Sequence, residues 1–406
     1  MPATDYQGSS SHSPFSSFGR SLLSRSRDSP ASPPMLPSGG EADMEAFQRH
    51  VSLSLAELRD GEGFLSIAWI RRLLEAFLLC QEEFRAVVAQ ARRRGGGGPQ
   101  AEKLVTEYHE RAVKALDVCN AARDGIDQVR RWGRLAGIAA SVLLASGEIH
   151  EGQLRRARKA LSDLSVLLVD DAAAAGSGGG VASFLASHRN RSFGRGARAS
   201  PSRASSVSSS SSSSSSHFRS LSWSVSRTWS AARQLQAIGS GLAAPRAHEA
   251  GLAAPVYAMG CLLHLASWAL VAAVPCPDRG AALQAHHLPA VPPRSALSWA
   301  PPLLALQDRL TEEGKRKDRR NSCGLLKEIH ALEKCAQRLA EVIDAAATPI
   351  SGESEAEVRE AAAELAAVCA AMKEGLEPLE RQVREVFHRI VRSRMEGFDS
   401  IMPHAD

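Results

Sequence analysis

Apolar residues recur along most of this chain at intervals of three, four and seven, the signature of helices buried on one face. Met44, Phe47, Val51, Leu55 and Leu58 form the first stripe, and Gly61 and Gly63 break it. A second helix is predicted from about Phe64 to Arg94, with Ile67, Ile70, Leu74, Phe77, Phe84 and Val88 on one face. Arg92, Arg93 and Arg94 suit its negative C-terminal dipole end, and the glycines at 95–98 with Pro99 stop it. A third helix is predicted over about Ala101–Arg123, carrying Leu104, Tyr108, Ala112, Ala115 and Cys119. A separate fourth carries Val129, Trp132, Ala136, Ala139 and Leu143, and a fifth carries Leu154, Ala157, Leu161, Leu164 and Leu168. No segment alternates with period two between turn signals, so no strand is expected.

The C-terminal third repeats the pattern. Helices are predicted over Leu303–Glu313, Asn321–Ala347 and about Glu353–Arg394. Leu325, Ile329, Leu332, Leu339 and Ile343 line the middle one, and Pro378 should kink or break the last. The expected fold is all-α: an elongated antiparallel helical bundle with a central apolar helix and disordered Ser/Gly/Arg-rich linkers.

Composition sets the boundaries. Residues 1–40 are Ser- and Pro-rich and read as a disordered tail, favoured over a plastid transit peptide because Asp5 comes early. Residues 41–171 form an N-terminal bundle half, and 172–217 a disordered linker with nine consecutive serines, Ser208–Ser216. Residues 218–274 hold a helix beginning near Trp223 and Trp229, then the apolar helix. A Pro-rich loop (275–300), a C-terminal helical half (301–396) and a tail (397–406) complete the chain. The two halves are expected to pack together, because neither can cover its own stripes.

Leu252–Val274 carries no charge over a length that would span a bilayer, with Leu252, Leu262, Leu263, Leu265, Trp268, Leu270 and Val274 as its anchors. Pro255, Gly260, His264 and Ser267 interrupt it, and a histidine is costly at mid-membrane, which favours a buried bundle helix. The expected location is the cytosol with peripheral membrane attachment, a single-pass protein being the alternative. Forty-nine basic against 44 acidic residues leave a net +5, much of it in the Arg/Ser tract, which could meet an anionic membrane surface. That tract lacks the aromatics of a folded RNA-binding sheet, so nucleic acid is not expected.

Reactive chemistry is sparse. The seven cysteines are scattered, without a C-x-x-C pair, and read as reduced thiols. No phosphate-cradling glycine loop, nucleophile elbow or H-E-x-x-H occurs, so no catalytic residue, metal, cofactor or small-molecule substrate is expected. The paired acids Asp170-Asp171 and Glu312-Glu313 read as exterior charges at or near helix ends. Ser192 and Ser322 each follow an arginine by three residues and are candidate phosphosites for basophilic kinases.

Several blocks carry a resemblance. Met1–Ser10, Ser17-Phe18-Gly19-Arg20-Ser21, Leu116–Asp124, Trp268–Cys276 and Leu325–Ile329, with the C-terminal helix, resemble the plant BYPASS-related, ROH-type proteins across nearly the whole chain. The resemblance implies a helical, non-enzymatic protein associated with membranes through the Trp268 region. It further implies binding to a subunit of the exocyst, the vesicle-tethering complex, with influence on polarised secretion. Other members of that family are linked to restraining a root-derived mobile signal that arrests shoots. The glycine, alanine and serine runs near 95–98 and 172–216 depart from the family pattern.

Overall fold

The computed structural model describes residues 39–399, apart from 96–97, 175–223, 227, 247–250, 285–286, 293–296, 317–321, 347–349 and 351. The tail 1–38, nearly all of the 172–217 linker, Ser192, Trp223 and residues 400–406 therefore lie outside the described residues. Contacts divide the chain after Pro37, and the second unit holds every described helix.

Among the described residues there are ten helices and no strand: α1 (Gly39–Asp60), α2 (Ile67–Arg93), α3 (Pro99–Leu143), α4 (Glu151–Ala174), α5 (Ala231–Gly239), α6 (Ala253–Ala273), α7 (Arg279–Ala282), α8 (Ala300–Lys315), α9 (Lys327–Ala345) and α10 (Gly352–Asp399). The fold is all-α. The stripes read from the sequence face inward: Phe47, Val51 and Leu55 on α1, Leu154, Leu161 and Leu168 on α4, and Ile329, Leu332, Leu339 and Ile343 on α9 are all buried.

Two expected interruptions are absent. The third and fourth predicted helices are one 45-residue helix, α3. Gly125, near the expected break, serves a close approach instead: a Cβ there would lie 2.5 Å from the carbonyl oxygen of Pro275 and 2.7 Å from Val274 Cγ2. Helix α10 likewise runs unbroken through Pro378. Buried Leu376, Leu379 and Val383 hold it on both sides of the proline, and exposed Glu374, whose carbonyl loses its helical donor, lies where water can replace it. Boundaries also move. Helix α1 begins inside the predicted tail, α9 begins only at Lys327, and α5 starts at Ala231, after Trp229.

The two longest helices pair antiparallel along their length. His109 sits beside Ser393 (3.5 Å), Arg130 pairs with Glu380 (2.6 Å) and Arg359 donates to Leu143 O (3.2 Å). C-terminal α10 thus packs on N-terminal α3 and also on α2, while α9 meets α4 through Arg158 and Asp344 at 2.8 Å. The N- and C-terminal helices therefore pack directly against one another. Helix α6 packs against α1, α2, α3 and α5 and fills the space between them.

Candidate functional site

Helix α6 is long and apolar enough to cross a membrane, and its whole apolar window is buried inside the fold. Leu252, Leu262, Leu263, Leu265, Trp268, Leu270 and Val274 are all buried by protein, none more than 4% exposed. Three of its polar side chains find backbone acceptors there. Trp268 Nε1 donates to Ala282 O at 3.1 Å, Ser267 Oγ donates back to Leu263 O at 2.7 Å, and Tyr257 Oη donates to Ala290 O at 2.8 Å. The His264 ring lies against Gly239, where a Cβ would come within 2.6 Å of Cε1. Burial, reinforced by nearby His287, lowers its pKa to about 4, so the ring is neutral near pH 7.

The C-terminal end of α6 is the most polar point of the core. Segment 322–328 crosses it and ties several helices together. Leu325 N donates to Ala272 O (2.8 Å), Lys327 N to Leu65 O (2.9 Å), and the Glu328 carboxylate accepts from Ile67 N (3.1 Å) at the start of α2. These bonds satisfy carbonyls at one helix end and an amide at another, which otherwise would be orphaned. Gly324 allows the crossing, since a Cβ there would meet Ala273 O at 2.4 Å. Beneath it lie two buried charged residues. Arg279 donates to Ser322 O, and Glu333 accepts from Cys323 N at 3.1 Å. Burial lowers the Arg279 pKa and raises that of Glu333.

Ser322 corrects a sequence expectation. It is fully buried, and its hydroxyl donates to Gly324 O at 2.9 Å, so the arginine-flanked serine is not a surface acceptor in the folded chain. The arginine spacing is a local signal, whereas burial here follows from the crossing over α6. Asp171 is a second correction. It is buried, accepts from Gln128 Nε2 (2.5 Å) and Trp132 Nε1 (3.1 Å), and burial raises its pKa to about 6. The signal was present: Asp171 follows Leu164 by seven residues and Leu168 by three, on the buried stripe of α4.

The described thiols are held in their neutral form. Burial pushes the thiols of Cys80, Cys119, Cys261 and Cys276 up to about 12 and that of Cys369 to about 11, the opposite of an activated nucleophile. Among the described residues no three His, Cys, Asp or Glu side chains are grouped so that they could hold a metal ion. All seven cysteines are free. Besides a smaller cleft of about 150 Å³ near Asn120 and His388, the described surface offers two larger clefts beside α10. One, of about 290 Å³, is lined by His109, Arg92 and Ser393; the other, of about 660 Å³, lies between α3 and α10. Burial, with Arg92 and Arg394 nearby, lowers the His109 pKa to about 4, and Arg92 is already engaged by Glu102 at 2.8 Å.

A family model described as "Protein ROH1-like" matches residues 1–401 of the chain. The chain belongs to the ROH1-like family. It is 45% identical to protein ROH1D of Arabidopsis thaliana, with the match covering 100% of this chain and 99% of that protein. It is 36% identical to protein ROH1A of the same plant, over 88% and 89% of the two chains. No solved structure matches it. The BYPASS-related, ROH-type resemblance read from the sequence blocks is therefore the family, matched over residues 1–401.

Proposed function

We propose that this ROH1-like protein is a non-catalytic helical adaptor that binds an exocyst subunit and acts in polarised secretion at a membrane. The observation that carries the reading is the complete burial of α6. With the one span-length helix among the described residues enclosed, the described fold presents its outer helix faces, and those faces suit protein contacts rather than lipid chains. Membrane attachment is then peripheral, through the partner or through the basic Arg/Ser tract, where each basic residue near an anionic leaflet contributes about 1 kcal/mol. The family resemblance supplies the exocyst as the partner.

The test is binding of the purified chain to purified exocyst subunits, with membranes fractionated in parallel. Retention of one subunit, and release of the chain from membranes by salt or alkaline carbonate, is the expected result. Retention in the carbonate pellet with protease protection of the C-terminal third would overturn the peripheral reading. No binding to any subunit would overturn the adaptor reading.

A further inference from the structure

We infer that the furrow between α3 and α10 is the docking site for an amphipathic α-helix of a partner protein, its apolar stripe flanked by acidic residues. The inference rests on the adaptor reading and gives it a place on the molecule.

The furrow exists because of two glycines. Gly133 and Gly137 stand one turn apart on α3, so they share a face. A Cβ at either would meet no atom within 4 Å. Nothing in the folded chain therefore requires glycine there, although glycine inside a helix is less stable than alanine. The missing side chains open the cleft of about 660 Å³, floored by Val129 from α3 and by Met372 and Leu376 from α10. Its walls are two long antiparallel helices. From Val129 to Gly137 the furrow is eight residues long, about 12 Å at the helical rise, enough for two turns of a docked helix. Bare glycine backbone lets a second helix approach more closely than any other residue would, the geometry of small-residue helix crossings.

The banks give the occupant its charge. Arg134 on α3 and Lys373 on α10 line the furrow and have no ion-pair partner among the described residues. Neighbouring Arg130 differs, being held by Asp127 at 3.0 Å and Glu380 at 2.6 Å. Glu377 is the one acid in the lining, and it too is unpaired. The two cations stand on the two different helices that line the furrow, so an acid on each flank of the docked stripe would find one. Beside the furrow Ile138 is 48% exposed, an apolar residue that such a helix would cover.

The open glycines permit a test that leaves the fold intact. Gly133→Leu/Gly137→Leu fills the furrow from two positions where an added Cβ meets nothing within 4 Å, and should match or exceed the parent in thermal stability. The probe is a fluorescent helical peptide of about 18 residues with a Leu/Ala stripe flanked by glutamates, against the same peptide flanked by lysines. The parent should bind the acidic peptide, the filled variant at least about tenfold more weakly, and Arg134→Glu/Lys373→Glu should reverse the preference. Equal binding of the acidic peptide to parent and filled variant, or no binding to the parent, would overturn the inference. So would a parent dimer in light scattering that the filled variant loses, since the occupant would then be a second copy. Purified exocyst subunit provides the separate arm. If it binds parent and filled variant alike, the adaptor reading stands and the furrow is not its site; if it binds neither, the peptide arm still decides the furrow.

Discussion

Substituting alanine for Gly324 should unseat the crossing that holds the end of α6. A Cβ there would stand 2.4 Å from Ala273 O and 2.7 Å from Ile329 Cδ1, and neither is the free end of a flexible surface chain. The segment must move away from the helix end. Moving it lengthens the Leu325 N–Ala272 O bond of 2.8 Å, and Leu325, Leu326 and Ile329 around it are 0% exposed. A buried carbonyl left without its donor costs about 1–3 kcal/mol. Overpacking against Ile329 adds about 1–3 kcal/mol. The expected loss is thus about 2–6 kcal/mol, a large share of ordinary domain stability. Urea unfolding followed by helical circular dichroism would read it as a lower midpoint at unchanged slope. Gly314→Ala in α8 is the matched control, because a Cβ there meets nothing within 4 Å. It should be neutral or stabilising by up to about 1 kcal/mol. If Gly324→Ala unfolds at the same midpoint as Gly314→Ala, the crossing does not hold α6 and the reasoning fails.

Three further outcomes follow from buried groups. Leu161→Asp places a carboxylate on the buried stripe of α4 and should cost more than about 3 kcal/mol; an unchanged melting curve would remove this face from the core. The Asp171 pKa is raised from 3.8 to about 6, so its contribution is fully present below pH 3.8 and lost as pH rises through 6. Asp171→Asn, which can still accept from Gln128 and Trp132, should therefore gain about 1–2 kcal/mol over the parent at pH 7.5, the gain vanishing near pH 4 in paired urea titrations. His264 is held neutral, its pKa lowered from 6.5 to about 4, so the unfolded chain takes up the proton first as pH falls. Parent stability should drop by about 3 kcal/mol between pH 6.5 and 4 on this account, and His264→Gln should lack that part of the slope; equal slopes would refute it.

What the sequence disclosed was the set of one-sided stripes, because helical periodicity is local and each stripe needs a partner wherever that partner lies. Phe47, Leu161 and Ile329 could be placed inward from their neighbours alone. What it hid depends on contacts between distant segments. Gly125 lies near a predicted helix end, yet it is the point where α3 passes Pro275. Pro378 reads as a break, yet packing against α3 and α2 carries α10 through it. Ser322 reads as exposed from its arginines, and only the crossing over α6 explains its burial. The furrow was invisible for the same reason: Gly133 and Gly137 acquire meaning when α10 is laid beside α3. Asp171 is different, since its register on α4 was legible and the usual exposure of acid pairs outweighed it.

On the peripheral reading proposed above, span-length hydrophobicity in α6 reports how thoroughly the helix is enclosed. A helix touched on all sides by other helices has no face left to be polar, so its composition converges on that of a membrane span. The distinction lies in what surrounds it. Transfer to lipid would strip the apolar faces of α2, α3 and α5 of their cover. It would also break the bond from Leu325 to the α6 end and leave His264 facing hydrocarbon. Each large apolar side chain so exposed costs about 1.5–3 kcal/mol. Alanine, which makes up much of α6, returns little on insertion beside leucine or isoleucine. Several uncovered side chains on the neighbouring helices are enough to outweigh that return. On the same reading the proposed place of action is the outside of the fold, where the α3–α10 furrow offers open glycine backbone and two cations without an ion-pair partner among the described residues.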